Sequence, residues 1–134
     1  MVGIVLVAHG GLPKELLETT QLIIGEKLPA ISIVSITGVE KPDEIRLQIQ
    51  NAITQVDTGE GVLMFTDMFG GTPSNIALSF LKEDTVEVVS GVNLPMLVEM
   101  AYARREGKLG DLSRQLSEIG RGSIHIASEY LRNE

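Results

Sequence analysis

Two residues far apart in this sequence could share one piece of chemistry. His9 closes the apolar run MVGIVLVA and is followed by Gly10; Asp67 closes a second run, VLMFT, and opens the stretch DMFGGTPSN. A neutral imidazole keeps a lone pair on one ring nitrogen. A carboxylate that accepts the proton on Nδ1 holds the ring in one tautomer and leaves Nε2 exposed as a nucleophile. The plainer alternative is that His9 only closes a strand end and Asp67 only a turn.

The residues after Asp67 suggest what such a nucleophile would attack. In Phe69-Gly70-Gly71-Thr72-Pro73, two glycines allow close backbone approach. The N–H groups at a helix start form an anion site, and the Thr72 hydroxyl adds a donor. Pro73 supplies no N–H, which leaves the loop, Ser74 and Asn75 as donors. The same pattern also makes an ordinary turn and cap. No Lys or Arg falls within residues 62–75 or beside His9. A site built to hold phosphate tightly would usually have one, so the pattern suits a phosphoryl group held briefly and passed on.

Other chemistries find less support. Neither the P-loop pattern nor the dinucleotide fingerprint is present, so no nucleotide cofactor is expected. A catalytic zinc normally has three protein ligands, and no third candidate accompanies His9 and Asp67, so no metal is expected either. His125, the only other histidine, reads as a surface residue of a last strand.

These residues need a scaffold that brings two strand ends together. Val2–Ala8 is a continuous apolar run, as in strands buried on both faces of a parallel sheet. A helix follows over Lys14–Ile24, with Leu16, Leu17, Thr20, Ile23 and Ile24 inward and Gly25 as its stop. Ile31–Thr37 reads as a second strand nearer an edge. Pro42 opens a helix with Ile45, Ile49, Ala52, Ile53 and Val56 on one face. The third strand is Gly61–Thr66. Thr72 is expected to cap the next helix with Pro73 at its first position, and Ile76, Ala77, Phe80 and Leu81 inward. Thr85–Ser90 is a fourth strand. Helices follow over Pro95–Ala103 and Asp111–Ile119, the latter with Leu112, Leu116 and Ile119 inward and Gly120 as the stop. Gly122–Ala127 alternates Ile124 and Ile126 with Ser123 and His125, and so reads as a final edge strand.

That order predicts a three-layer α/β sandwich with a mostly parallel sheet. If the first and third strands are neighbours, their following helices leave on opposite faces. The resulting switch point is where ligands sit in open sheets, and it would join His9 to Asp67.

Composition sets the limits. The chain has 134 residues, 43% hydrophobic and 22% charged, which suits a single domain over 1–134 with a packed core. With no cysteine, disulfides and thiolate metal sites are excluded, as suits a cytoplasmic protein. The N-terminal apolar run is too short to span a membrane and lacks the basic flank of a signal peptide. Net charge is −7, and residues 1–103 hold 5 basic against 13 acidic residues. A nucleic-acid protein should show a basic footprint instead.

The strand ending A-H-G, the segment T-D-M-F-G-G-T-P-S-N and the segment G-V-N-L-P-M-L at 91–97 together resemble the enzyme IIA domain of the mannose family of the bacterial sugar phosphotransferase system. The resemblance covers essentially the whole chain. It implies that His9 is phosphorylated on Nε2 by the phosphocarrier protein HPr and passes the group to a histidine of an enzyme IIB partner. Asp67 would orient His9, while Gly10, Gly70, Gly71 and Thr72 would cradle the phosphoryl group. It also implies sheet order 2-1-3-4 and a homodimer that exchanges a C-terminal antiparallel strand, here matched by Gly122–Ala127. The sequence stops at Glu134 without a IIB domain, so the expected acceptor is a separate protein.

Two other readings compete. A signalling receiver phosphorylated on Asp67 would need an acidic pair after the first strand to hold Mg²⁺, where this chain has Ala8-His9-Gly10. A phosphorylation-state regulator with no transporter, or the related subunit that serves dihydroxyacetone kinase, would keep the strand-end histidine. The G-G-T-P-S-N segment resembles the sugar system more closely.

Overall fold

The structure, a computed structural model, describes residues 1–132. In chain order the elements are β1 (Gly3–His9), α1 (Leu12–Ile24), β2 (Ile31–Ile36), α2 (Pro42–Val56), β3 (Val62–Thr66), α3 (Gly71–Leu78), β4 (Val86–Ser90), α4 (Leu94–Ala103), α5 (Leu109–Gly122) and α6 (Ala127–Arg132). The four strands form one parallel sheet in the order β2-β1-β3-β4. The expected order is therefore observed, with β1 and β3 side by side and Val7 paired with Thr66.

The sheet is covered on both faces. Val5, Val7, Val62 and Met64 pack against Ile45, Ile49, Ile53 and Val56 of α2 and Ile76 and Ala77 of α3. Ile4, Leu6, Leu63 and Phe65 pack against Met96, Leu97 and Met100 of α4 and Leu112 and Leu116 of α5. Leu16 and Leu17 of α1 border that second cluster. The alternation along each strand sorts its side chains between the two layers. β1 and β3 are buried along almost their whole length, whereas β2 and β4, at the edges, are only partly so. All five residues expected on the inner face of α2 are buried there.

The carboxyl ends of the strands carry the polar residues; the amino ends are closed by a buried cation. The Arg104 guanidinium, 1% exposed, donates to the carbonyls of Val2, Pro29 and Ala30 at 2.6–3.0 Å. Burial, with the nearby Arg105 charge, holds its pKa down at about 10. No helix among the described residues is long and apolar enough to cross a membrane.

Several expectations need correction. No strand forms over Gly122–Ala127. Helix α5 runs on to Gly122, residues 124–126 are irregular, and α6 begins at Ala127. Alternation makes a segment able to pair; a strand also needs a free edge within reach, and within this chain the segment lies unpaired. Ile124 and Ile126 are exposed, and His125 lies beside Tyr130 with ring centroids 4.8 Å apart. Gly120 does not stop α5: it is buried where a Cβ would run into Met96. Thr72 does not cap α3; the capping position falls on Gly70 and no side chain fills it. Ile23 and Ile119 are exposed, since the helical stripe that meets the sheet is narrower than apolar spacing alone suggests, and Leu81 is exposed because α3 ends before it.

Candidate active site

His9 and Asp67 meet where β1 and β3 end. Parallel pairing aligns the two strands, so residues just past the last paired position emerge on the same edge. α1 then leaves toward one face of the sheet, bordering the cluster with Leu16 and Leu17, and α3 toward the other with Ile76 and Ala77. The crevice between them is the expected switch point.

The contact between the two residues is close and double. Asp67 Oδ2 accepts from the His9 main-chain N–H at 3.0 Å and lies 2.9 Å from His9 Nδ1. The Asp67 side chain is 14% exposed and that of His9 56%. Burial pushes the Asp67 carboxyl up, but the His9 backbone N–H, ring and charge, with the Met68 N–H, outweigh it and leave the pKa below the ordinary carboxylate value. An ionised carboxylate can only accept, so Nδ1 carries the proton and the neutral ring presents the Nε2 lone pair. The imidazole is thus the more exposed of the pair and the carboxylate the more buried.

The loop after Asp67 is shaped by two glycines. Gly70 has φ 104° and Gly71 φ 81°, a region that side-chain-bearing residues rarely adopt. Gly70 shares a small cavity with His9 and Asp67. Gly71 and Thr72 follow in the exposed first turn of α3, and the Thr72 hydroxyl has no hydrogen bond among the described residues. Gly10, also at positive φ, turns the chain from His9 toward α1, and its N–H donates to the Ile36 carbonyl at 2.9 Å. The uncapped N–H groups at the start of α3 therefore lie on the same edge as the imidazole, in a geometry that suits an anion.

Three further groups support this edge; the sequence reading gave Thr66 and Asn93 no role and took Ser74 only as a donor at the helix start. Thr66, 3% exposed, lies 2.7 Å from Ser90 Oγ and 3.3 Å from the Met68 carbonyl, while its own carbonyl accepts from the Gly91 and Val92 N–H groups. This ties the Asp67 loop to the end of β4. Ser74 is buried beneath the loop. Asn93 caps α4 through the Met96 N–H and donates to the Gly120 carbonyl, which locks α4 to α5. A polar residue ending an apolar strand is a sequence signal, and Thr66 and Ser90 both carry it; the burial of Ser74 has none.

Comparisons with known proteins bear on the family and the fold. The family model described as PTS system fructose IIA component, EIIA-man, matches residues 3–116. The PTS system fructose-specific EIIA component of Bacillus subtilis (strain 168) is 33% identical over 132 residues, covering 98% of this chain and 90% of that protein. The PTS system mannose-specific EIIAB component of Escherichia coli (strain K12) is 34% identical over 125 residues; 92% of this chain aligns with 38% of that longer protein. Among solved structures, the phosphotransferase system component EIIA from Streptococcus agalactiae superposes with a TM-score of 0.85 at 26% identity, covering 96% of this chain and 99% of that one. The PTS IIA protein associated with the fucose utilization operon from Streptococcus pneumoniae gives 0.82 at 27% identity, covering 98% and 99%. By family model, sequence and fold, this chain belongs to the mannose-type enzyme IIA family of the sugar phosphotransferase system.

Proposed function

We propose that this chain is a phosphoryl carrier that takes the group from phospho-HPr on His9 and passes it to an enzyme IIB partner. The observation that carries the reading is the double contact from His9 to Asp67 Oδ2, which holds the proton of the neutral ring on Nδ1 and so keeps the lone pair on Nε2 of a half-exposed side chain. The Nε2 lone pair attacks phosphorus. The bond from phosphorus to the donor breaks, and its electron pair leaves with the donor nitrogen. The Asp67 carboxylate stabilises the positive charge that develops on the ring. Gly70, Gly71 and Thr72 hold the phosphoryl oxygens through N–H groups and one hydroxyl, while Gly10, whose N–H is taken by the Ile36 carbonyl, shapes the turn beside them. With no Lys or Arg in residues 62–75, the group is bound weakly enough to leave again. The relay runs in the cytoplasm with no cofactor of its own.

The deciding experiment is incubation with phosphoenolpyruvate, enzyme I and HPr, followed by mass spectrometry of the digest. A base-stable phosphate on His9, absent in H9A with its fold intact, is the expected result. Uptake by H9A would move the site elsewhere. Phosphate lost in strong base would instead indicate an acyl phosphate on Asp67.

We also propose a homodimer. The outer edge of β4 borders a groove of about 590 Å³ lined in part by Val88, Ser90, Arg121 and Ile124. A strand from the 122–127 segment of a second copy would pair there and cover Ile124 and Ile126. Light scattering should give twice the chain mass, and a monomer at micromolar concentration would overturn the proposal.

A further inference from the structure

Ser74 carries the one buried side-chain polar atom that has no hydrogen-bond partner among the described residues. Residues with hydroxyls inside helices usually donate to a carbonyl one turn back, as Thr20 does to Leu16 and Ser113 to Leu109, each at 2.7 Å. Ser74 has no such outlet. The carbonyl four residues back belongs to Gly70, whose backbone (φ 104°, ψ 163°) is not helical. The Thr66 hydroxyl is turned to Ser90 and the Met68 carbonyl and makes no bond to Ser74.

Beside Ser74 is a cavity of about 10 Å³, walled by Val7, Ala8 and Ile36 and shared with Asp67 and His9. That is about the room one water takes, and a water settles in such a space when polar groups line it. Two are available, the Ser74 hydroxyl and the Asp67 carboxylate. His9 takes up only Oδ2 of that carboxylate, the Met68 main-chain N–H adds a further donor to the group, and no side chain among the described residues donates to Oδ1.

We propose that Ser74 is a positioning residue for Asp67: its hydroxyl and the carboxylate together hold one water in this cavity, and that water keeps the carboxylate turned toward His9. The Ser74 O–H donates to the water, and the water donates to the carboxylate. The serine thereby acts on a ring it does not touch. The effect on the ring stands without the phosphoryl-carrier reading; only its effect on transfer rests on it.

The test uses the full-length chain and the variants S74A, D67N and S74A/D67N. Nitrogen-15 NMR of the unphosphorylated protein, at a pH where the imidazole is neutral, reads the His9 tautomer. S74A should lower the Nδ1–H population and slow transfer from phospho-HPr by roughly two- to tenfold, the range one hydrogen bond supplies. In the D67N background the same change should have no further effect. A high-resolution crystal structure of the unmutated protein should show a water within hydrogen-bond distance of Ser74 Oγ and the Asp67 carboxylate. An unchanged tautomer in S74A, an equal effect of S74A with and without Asp67, or a Ser74 hydroxyl bonded to a carbonyl with no water present would each overturn the proposal. If HPr fails to phosphorylate the unmutated protein while S74A still shifts the tautomer, the carrier reading falls and the positioning role stands.

Discussion

One oxygen of Asp67, Oδ2, accepts from both the main chain and the ring of His9, at 3.0 and 2.9 Å. The main-chain bond sets where the carboxylate sits relative to the end of β1, and the ring bond sets the tautomer. Because a single oxygen does both, the imidazole is referenced directly to the sheet.

Replacing that carboxylate should therefore cost rate more than stability. D67N keeps the shape but removes the charge that favours a protonated Nδ1, and its amide can donate where only acceptance fits. Phosphoryl acceptance from HPr is expected to fall by about two orders of magnitude or more, as for other histidines that lose an orienting carboxylate. Rapid-quench measurement checks this, and a rate within about twofold of the unmutated protein would make Asp67 purely structural.

The acid range should expose two carboxylates. Asp67 is held below the usual carboxylate value, so its contribution to stability is present above that value and disappears as pH falls through the lower folded one. Glu40 is held down to about 2, because the Thr37 hydroxyl, then the Thr37 backbone N–H, donate to its carboxylate, with the Gly38 N–H adding to them. The Thr37 and Gly38 amide shifts should accordingly hold steady near pH 4.5 and move only toward pH 2. In E40Q that movement should be absent, and its persistence would assign the transition to another group.

Arg104 should matter for stability and not for transfer. Its guanidinium donates to three carbonyls at the amino end of the sheet, away from His9. R104M would take the guanidinium donors from all three in a dry setting, leaving Ala30 with the Ile4 N–H alone, and should destabilise by about 2–4 kcal/mol. R104K should recover only part of this, since an ammonium cannot reproduce the forked geometry. Urea unfolding gives the loss, and phosphoryl acceptance at a temperature where both variants are folded should match the unmutated protein.

Two glycines should respond differently to alanine. A Cβ at Gly3 would run into the main-chain carbonyl of Val56, whereas one at Gly120 would meet the flexible end of Met96. Backbone cannot yield as a thioether can. G120A should cost about 1–3 kcal/mol, the usual range for overpacking, and G3A more than that. Thermal melts of the pair decide it, and equal losses would refute the distinction.

Much of the fold was legible because the sequence writes burial as composition. The unbroken run Val2–Ala8 reads as a strand covered on both faces, and the period of Ile45, Ile49, Ala52, Ile53 and Val56 reads as one face of a helix; both are observed. The alternation over 122–127 is equally plain yet forms no strand within this chain. Periodicity describes what a segment can present to a neighbour, and pairing depends on which neighbour has an edge free.

By itself, the sequence determined the alternation of strands and helices, the residues that end β1 and β3, and the glycine pair after Asp67, because these follow from local side-chain chemistry and backbone freedom. Only the tertiary structure decided that α3 starts uncapped, that Gly120 is packed inside a helix, and that Ser74 is buried beside the small cavity it shares with His9 and Asp67. Each depends on distances between segments far apart in the chain, and such distances are set by how whole layers pack.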